Sequence, residues 1–210
     1  MKKSFLWAKA LSIESFVVFG SLFFLFLKKK NLTWSLSSYK KNRPILLIHG
    51  YLHKSNVWVY HGNELSKKGF GPIFTIDLKE PFDSIEEHAL IVQKKVQSIK
   101  DETNQENIIL IGHSMGGLVA SYFALHLAEK NFVTDIITIA SPLMGTKLAK
   151  IGFGKGANQM KKDSIFVKDL QKKILDEQDI NFYHIATKTD QLIRPYSSAL
   201  IGNNLDRQCV

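Results

Sequence analysis

The sequence predicts an α/β protein: a mostly parallel, doubly wound sheet covered by helices, preceded by an N-terminal membrane helix. Three observations predict it. Short β-branched or apolar runs alternate with segments of helical period from residue 44 onward. Residues 16–27, FVVFGSLFFLFL, carry no charge. A length of 210 residues, 45% of them hydrophobic, supports one sizeable core and leaves little room for a second.

The N-terminal segment also holds the excess charge. Residues 1–43 contain nine basic groups and one acid, whereas 44–210 contain 19 basic and 18 acidic groups. The formal charge of +9 therefore belongs to the segment, and the nearly neutral remainder argues against a nucleic-acid partner. A helix over 11–27 would span roughly 25 Å, slightly under the hydrocarbon thickness of about 30 Å. Lys28, Lys29 and Lys30 follow where a cleavable signal would place small residues, so 1–30 is expected to be an uncleaved membrane anchor. Basic residues flank both of its ends, which leaves the membrane side open. Residues 31–43, polar and serine-rich, are expected to link it to a folded domain over 44–210. The single cysteine, Cys209, excludes an intrachain disulfide.

Within the domain, residues 45–48, 73–76, 108–111, 136–140 and 182–186 have the composition of strands buried on both faces. Ser84 and Glu87 form a capping box, and Ile85, Ala89, Val92, Val96 and Ile99 follow at spacings of 4, 3, 4 and 3. A second helix is expected over about 115–130, with Leu118, Val119, Tyr122 and Leu125 on one side, and a third over 164–177. Strands alternating with helices require right-handed crossovers and a parallel sheet.

The most informative stretch is 108–120, IILIGHSMGGLVA. Gly112, His113, Ser114, Met115 and Gly116 fit G-x-S-x-G, a strand-to-helix turn that lifts a serine hydroxyl into the open and needs small residues two positions either side. Such a turn lies beyond the carboxyl end of a strand, where sites form in doubly wound sheets. The helix that follows offers free N–H groups to a developing negative charge, with Met115 N–H as one donor. Another strand ends in His49-Gly50-Tyr51, and Tyr51 N–H is the second candidate oxyanion donor.

With LLIHGY at 46–51, GHSMGG at 112–117, IASPLMGTKLA at 139–149 and ATKTDQLIRPYSSAL at 186–200, the chain from Pro44 onward resembles the α/β-hydrolase superfamily, in particular its small bacterial lipases and esterases. The resemblance implies a Ser114 nucleophile and an acyl-enzyme. It implies Asp190 as the acid after a late strand, accepting from a histidine ring N–H. The substrate implied is a carboxylic ester, and membrane tethering with an apolar cap favours a lipid-like one. The expected whole is a membrane-anchored lipase or esterase without metal or cofactor. Thioester hydrolysis or acyl transfer is a rival on the same fold.

The family order is serine, acid, then histidine, and no histidine follows Asp190. The resemblance therefore predicts that the last strand, the catalytic base and a closing helix are missing, and a catalytically silent remnant or binding module is the alternative reading. His53 and His61, in the loop after the oxyanion strand, are the conceivable substitutes. His49 contributes main chain, His113 is structural in relatives, His88 and His126 fall in helices, and His184 falls in a strand.

Two further segments are weighed. Residues 152–157, GFGKGA, do not follow a strand and are not a dinucleotide loop. Residues 142–163 are expected as a cap in which Leu143, Met144, Leu148, Ile151, Phe153 and Met160 could hold an acyl chain. His49 and His53 lie four apart without the H-E-x-x-H glutamate, which argues against a metal site.

Overall fold

A computed structural model describes residues 32–34, 42–190, 193, 195–202 and 208–209. Its centre is β2 (Ile45–Ile48), β3 (Ile73–Ile76), β4 (Ile108–His113), β5 (Val133–Ile139) and β6 (Asn181–Ile185), all parallel. Edge strands β1 (Thr33–Trp34) and β7 (Gln208–Cys209) complete the order β1-β3-β2-β4-β5-β6-β7, with β1 antiparallel to β3. β7 pairs His184 with Gln208 and Ile185 with Cys209, on the edge where the resemblance expects a further strand.

The period of two sorts β2 between two cores. Leu46 and Ile48 join Phe74, Ile76 and Leu110 against α2 (Ile85–Thr103) and α3 (Met115–His126). Ile45 and Leu47 face the other way, onto Trp58 and Ile73, beside α1 (Val59–Lys67). α5 (Ile165–Asp176) packs Val167, Leu170 and Ile174 into the first core, and the short α4 (Gly154–Gln159) lies above α2. Nine of the twelve residues of α3 are buried, because that helix lies between the sheet and its helical neighbours.

The Ser84 capping box is present: Glu87 N–H donates to Ser84 Oγ, and Ser84 N–H donates to Glu87 Oε2 at 2.7 Å. β5 begins three residues earlier than its apolar run because its polar start is satisfied locally. Arg43 donates to Thr134 Oγ1 at 2.7 Å and pairs with Asp135. The helix after Ser114 stops at His126, short of the expected 130.

The N-terminal membrane helix is corrected. No helix among the described residues is long and apolar enough to cross a membrane, and the expected anchor at 1–30 lies outside those residues. The helix expected over 11–27 would carry Glu14 and reach roughly 25 Å, short of the hydrocarbon thickness of about 30 Å. The fold class is the mostly parallel α/β sheet alone, and membrane anchoring, partnership and location are withdrawn with the helix.

Candidate active site

The site is built where β4 turns into α3. Ser114 has φ 52° and ψ −124°, a conformation that costs a non-glycine residue about 1–3 kcal/mol. The surroundings hold it there: Ser114 N–H donates to Ile139 O at 2.9 Å, and Gly117 N–H donates to Ser114 O at 3.1 Å. The glycines are required by contact. A Cβ on Gly112 would collide with the Gly116 carbonyl and Gly117 N, one on Gly116 with the Ile48 carbonyl, and one on Gly117 with the Ser141 side chain.

β2 delivers the second half. His49 is buried; its Nε2 accepts the Leu78 N–H at 3.0 Å, which leaves the proton on Nδ1 to donate to Gly50 O at 2.9 Å. Burial pushes the His49 pKa down to about 4, against a smaller upward pull from Gly50 and Asp77, so the ring is neutral at pH 7. His53 N–H also donates to Gly50 O, at 3.2 Å. With the carbonyl held on that side, the trans peptide turns Tyr51 N–H the opposite way. Neither Tyr51 N–H nor Met115 N–H, the latter in the first turn of α3, donates a hydrogen bond among the described residues.

Asp190 follows β6 in a turn closed by its own N–H to Thr187 O at 3.2 Å, and its Oδ1 accepts the Ile193 N–H at 2.9 Å. Ser114, Asp190, Tyr51, His53 and His113 line one cavity of about 310 Å³. Residue by residue, the sequence expectation is brought together in space for Ser114, Asp190 and Tyr51, while Met115 packs beneath the serine at 1% exposure and Gly112 and Gly116 make the turn.

The histidines divide. His53 is in the cavity wall, stacked on His113 with centroids 5.7 Å apart and planes 10° apart, and its Nδ1 is buried without a partner. Burial lowers its pKa, and pushes that of His113 down to about 4. His61 is exposed on α1 against Trp58 and Tyr60, outside the wall. No imidazole among the described residues is hydrogen-bonded to the Ser114 hydroxyl.

Of the cap residues singled out, Leu148, Ile151 and Met160 line the cavity. Leu143 is core, Met144 lies in a separate cleft, and Phe153 is 76% exposed. Pro142, Thr146, Ala149, Gly152 and Ala157 join the wall from within the expected cap, and Ala140 and Ile193 join it from outside. No group of His, Cys, Asp and Glu suited to a metal ion occurs among the described residues.

The geometry has relatives. Residues 43–160 match the family model for the alpha/beta hydrolase fold. The chain is 30% identical over 110 residues to the pimeloyl-[acyl-carrier protein] methyl ester esterase of Vibrio cholerae, covering 52% of this chain and 40% of that protein. It is 34% identical over 98 residues to triacylglycerol lipase 2 of Saccharomyces cerevisiae, covering 44% and 29%. The matches thus span less than half the length of either relative. Among solved structures, Aspergillus fumigatus lipase B superposes with a TM-score of 0.71 at 15% identity, covering 86% of this chain and 47% of that one. Mature Bacillus licheniformis lipase BlEst2 superposes with a TM-score of 0.64 at 17% identity, covering 75% and 71%. Likeness at that identity speaks for the fold, and the family match over more than half the chain speaks for descent. This chain is a member of the α/β-hydrolase fold family, with lipase and esterase relatives.

Proposed function

We propose that this chain is a serine hydrolase of carboxylic esters. The observation that carries the reading is the strained Ser114 turn opening onto a cavity shared with Asp190 and Tyr51, with the N–H groups of Tyr51 and of Met115, next to the serine, both unused. Ser114 Oγ attacks the ester carbonyl, the carbonyl oxygen takes the negative charge against Met115 and Tyr51 N–H, and the alcohol leaves with a proton. Water then attacks the acyl-serine and releases the acid.

The Ser114 proton needs an acceptor, and Asp190 needs an imidazole to orient. His53 is the imidazole we assign to that role: it shares the cavity, its Nδ1 is unpartnered, and burial favours its neutral, basic form. The lipase and esterase relatives support an ester as substrate, and the apolar wall supports one with a hydrocarbon portion. A second reading, a silent binding domain, is favoured by the absence of any imidazole bonded to Ser114 among the described residues.

Turnover of a soluble 4-nitrophenyl ester separates the two. The hydrolase reading expects release of 4-nitrophenol that is lost in Ser114→Ala and falls roughly 10²–10⁴-fold in His53→Gln. A folded wild-type chain no faster than its Ser114→Ala variant supports the silent reading instead.

A further inference from the structure

We propose that the mouth of the Ser114 cavity binds an anionic amphiphile, its hydrocarbon chain inside and its phosphate or carboxylate head held at a rim of lysines. The wall is apolar along Ala140, Pro142, Ala149, Ala157, Met160 and Ile193. Leu148 and Ile151 belong to the same wall, yet are 41% and 74% exposed, so they form its lip.

Each lip residue is preceded by an exposed lysine, Lys147 and Lys150, and Lys188 is exposed on the loop that carries Asp190. None of the three has an ion pair among the described residues. The local excess is large for this domain. Residues 142–162 hold five lysines and no acid, in a region, 44–210, whose net charge is +1, so the remainder of that region carries −4. Of the five, Lys155 is paired with Glu87 and Lys162 lines a separate cleft, while Lys147 and Lys150 stand beside the lip. Positive charge gathered at the mouth of a low-dielectric cavity concentrates anions there.

The interior is the opposite. The charged side chain in the wall is the Asp190 carboxylate, and His53 and His113 are held neutral by burial. Inside, a charged head would meet that carboxylate, and the Met115 and Tyr51 N–H groups serve the ester carbonyl oxygen; at the lip it meets lysines, which sets the ligand's direction: chain inward, head outward. This deepens the ester-hydrolase reading by naming the class of substrate, and it rests on that reading for the reaction though not for binding.

The test is calorimetric titration of the full-length Ser114→Ala chain with octyl phosphate and octanoate below their critical micelle concentrations, with neutral 1-octanol, and with inorganic phosphate alone. Both amphiphiles are expected to bind about tenfold tighter than octanol at low ionic strength, the scale of two weak surface ion pairs. That advantage should vanish in Lys147→Glu/Lys150→Glu and at high salt, with octanol affinity unchanged as evidence of an intact cavity. The tighter of the two amphiphiles identifies the preferred head. Equal affinity for octanol, a preference that survives the double reversal, or inorganic phosphate binding as tightly as octyl phosphate would overturn the proposal. Selective binding without Ser114 turnover in the wild type would sink the hydrolase reading alone, and turnover without selective binding would sink this inference alone.

Discussion

Gly50 and Ser114 meet so closely that a Cβ on Gly50 would lie 2.9 Å from Ser114 Cβ and 3.1 Å from the His113 carbonyl. The two strand ends that carry the oxyanion loop and the serine thus fit only with a glycine between them. Gly50→Ala must push them apart while leaving the sheet intact. We expect ester turnover to fall by roughly 10², the cost of an ångström-scale misplacement, with an unchanged far-ultraviolet circular dichroism spectrum. Wild-type turnover in Gly50→Ala would remove the oxyanion loop from the account.

Gly116 tests folding rather than chemistry. Its absent Cβ faces the backbone carbonyls of Ile48 and His49, which cannot move as a side chain can. Gly116→Ala is expected to lower stability by about 1–3 kcal/mol or to prevent folding, read from a urea titration. A variant as stable as wild type would show that β2 and α3 are more loosely packed than described.

Acid should destabilise the domain through its histidines. His49, His113 and His184 have pKa values pushed down by burial to about 4, against 6.5 when exposed in the unfolded chain. Between those values the unfolded chain binds protons that the folded chain does not. The stabilisation is complete above pH about 6.5 and is lost as pH falls toward about 4, by about 1.4 kcal/mol per pH unit for each group. His88, 0% exposed with both ring nitrogens unpartnered, adds in the same direction. The melting temperature should therefore hold steady from pH 8 to 7 and drop steeply below 6. A flat profile down to pH 5 would contradict the neutral burial of these rings.

The cap is tied to the start of α2. Gln159 Oε1 accepts the Ile85 N–H at 2.7 Å, Gln159 Nε2 donates to Glu86 at 2.6 Å, and Lys155 pairs with Glu87 at 2.6 Å. Tyr51 OH donates to Phe153 O at 2.7 Å and accepts the Phe153 N–H at 3.1 Å. Gln159→Ala leaves the Ile85 N–H and the Glu86 carboxylate without this partner and should expose the cap. Limited trypsin digestion is expected to cut faster after Lys150 or Lys155 in the variant. Equal cleavage rates would mean that the Lys155–Glu87 pair and the Tyr51–Phe153 contacts hold the cap without Gln159.

Much of this architecture was legible. The bounds of β2 and β3 follow directly from their apolar runs, and the Ser84 box and the Ser114 turn carry local chemistry that tertiary context had no reason to override. β1 and α1 were not legible, because their signal is tertiary. Thr33 and Trp34 become a strand by pairing with Phe74 and Ile73, and α1 accommodates Gly62 because Trp34 lies against it. A Cβ on Gly62 would sit 2.5 Å from the Trp34 ring, whose Nε1 donates to Asn63 Oδ1 at 2.7 Å. The cavity wall drew on residues from four separate loops, which no periodicity connects. The expected membrane anchor lies at 1–30, outside the described residues, and no helix among those described is long and apolar enough to cross a membrane.

The most direct measurement of the central claim is labelling of the full 210-residue chain by a fluorophosphonate probe, which reports an activated serine without needing the natural substrate. The account predicts covalent labelling of the wild type, none in Ser114→Ala, and slowed labelling in His53→Gln. A folded wild-type chain left unlabelled, or one labelled equally in Ser114→Ala, would contradict it.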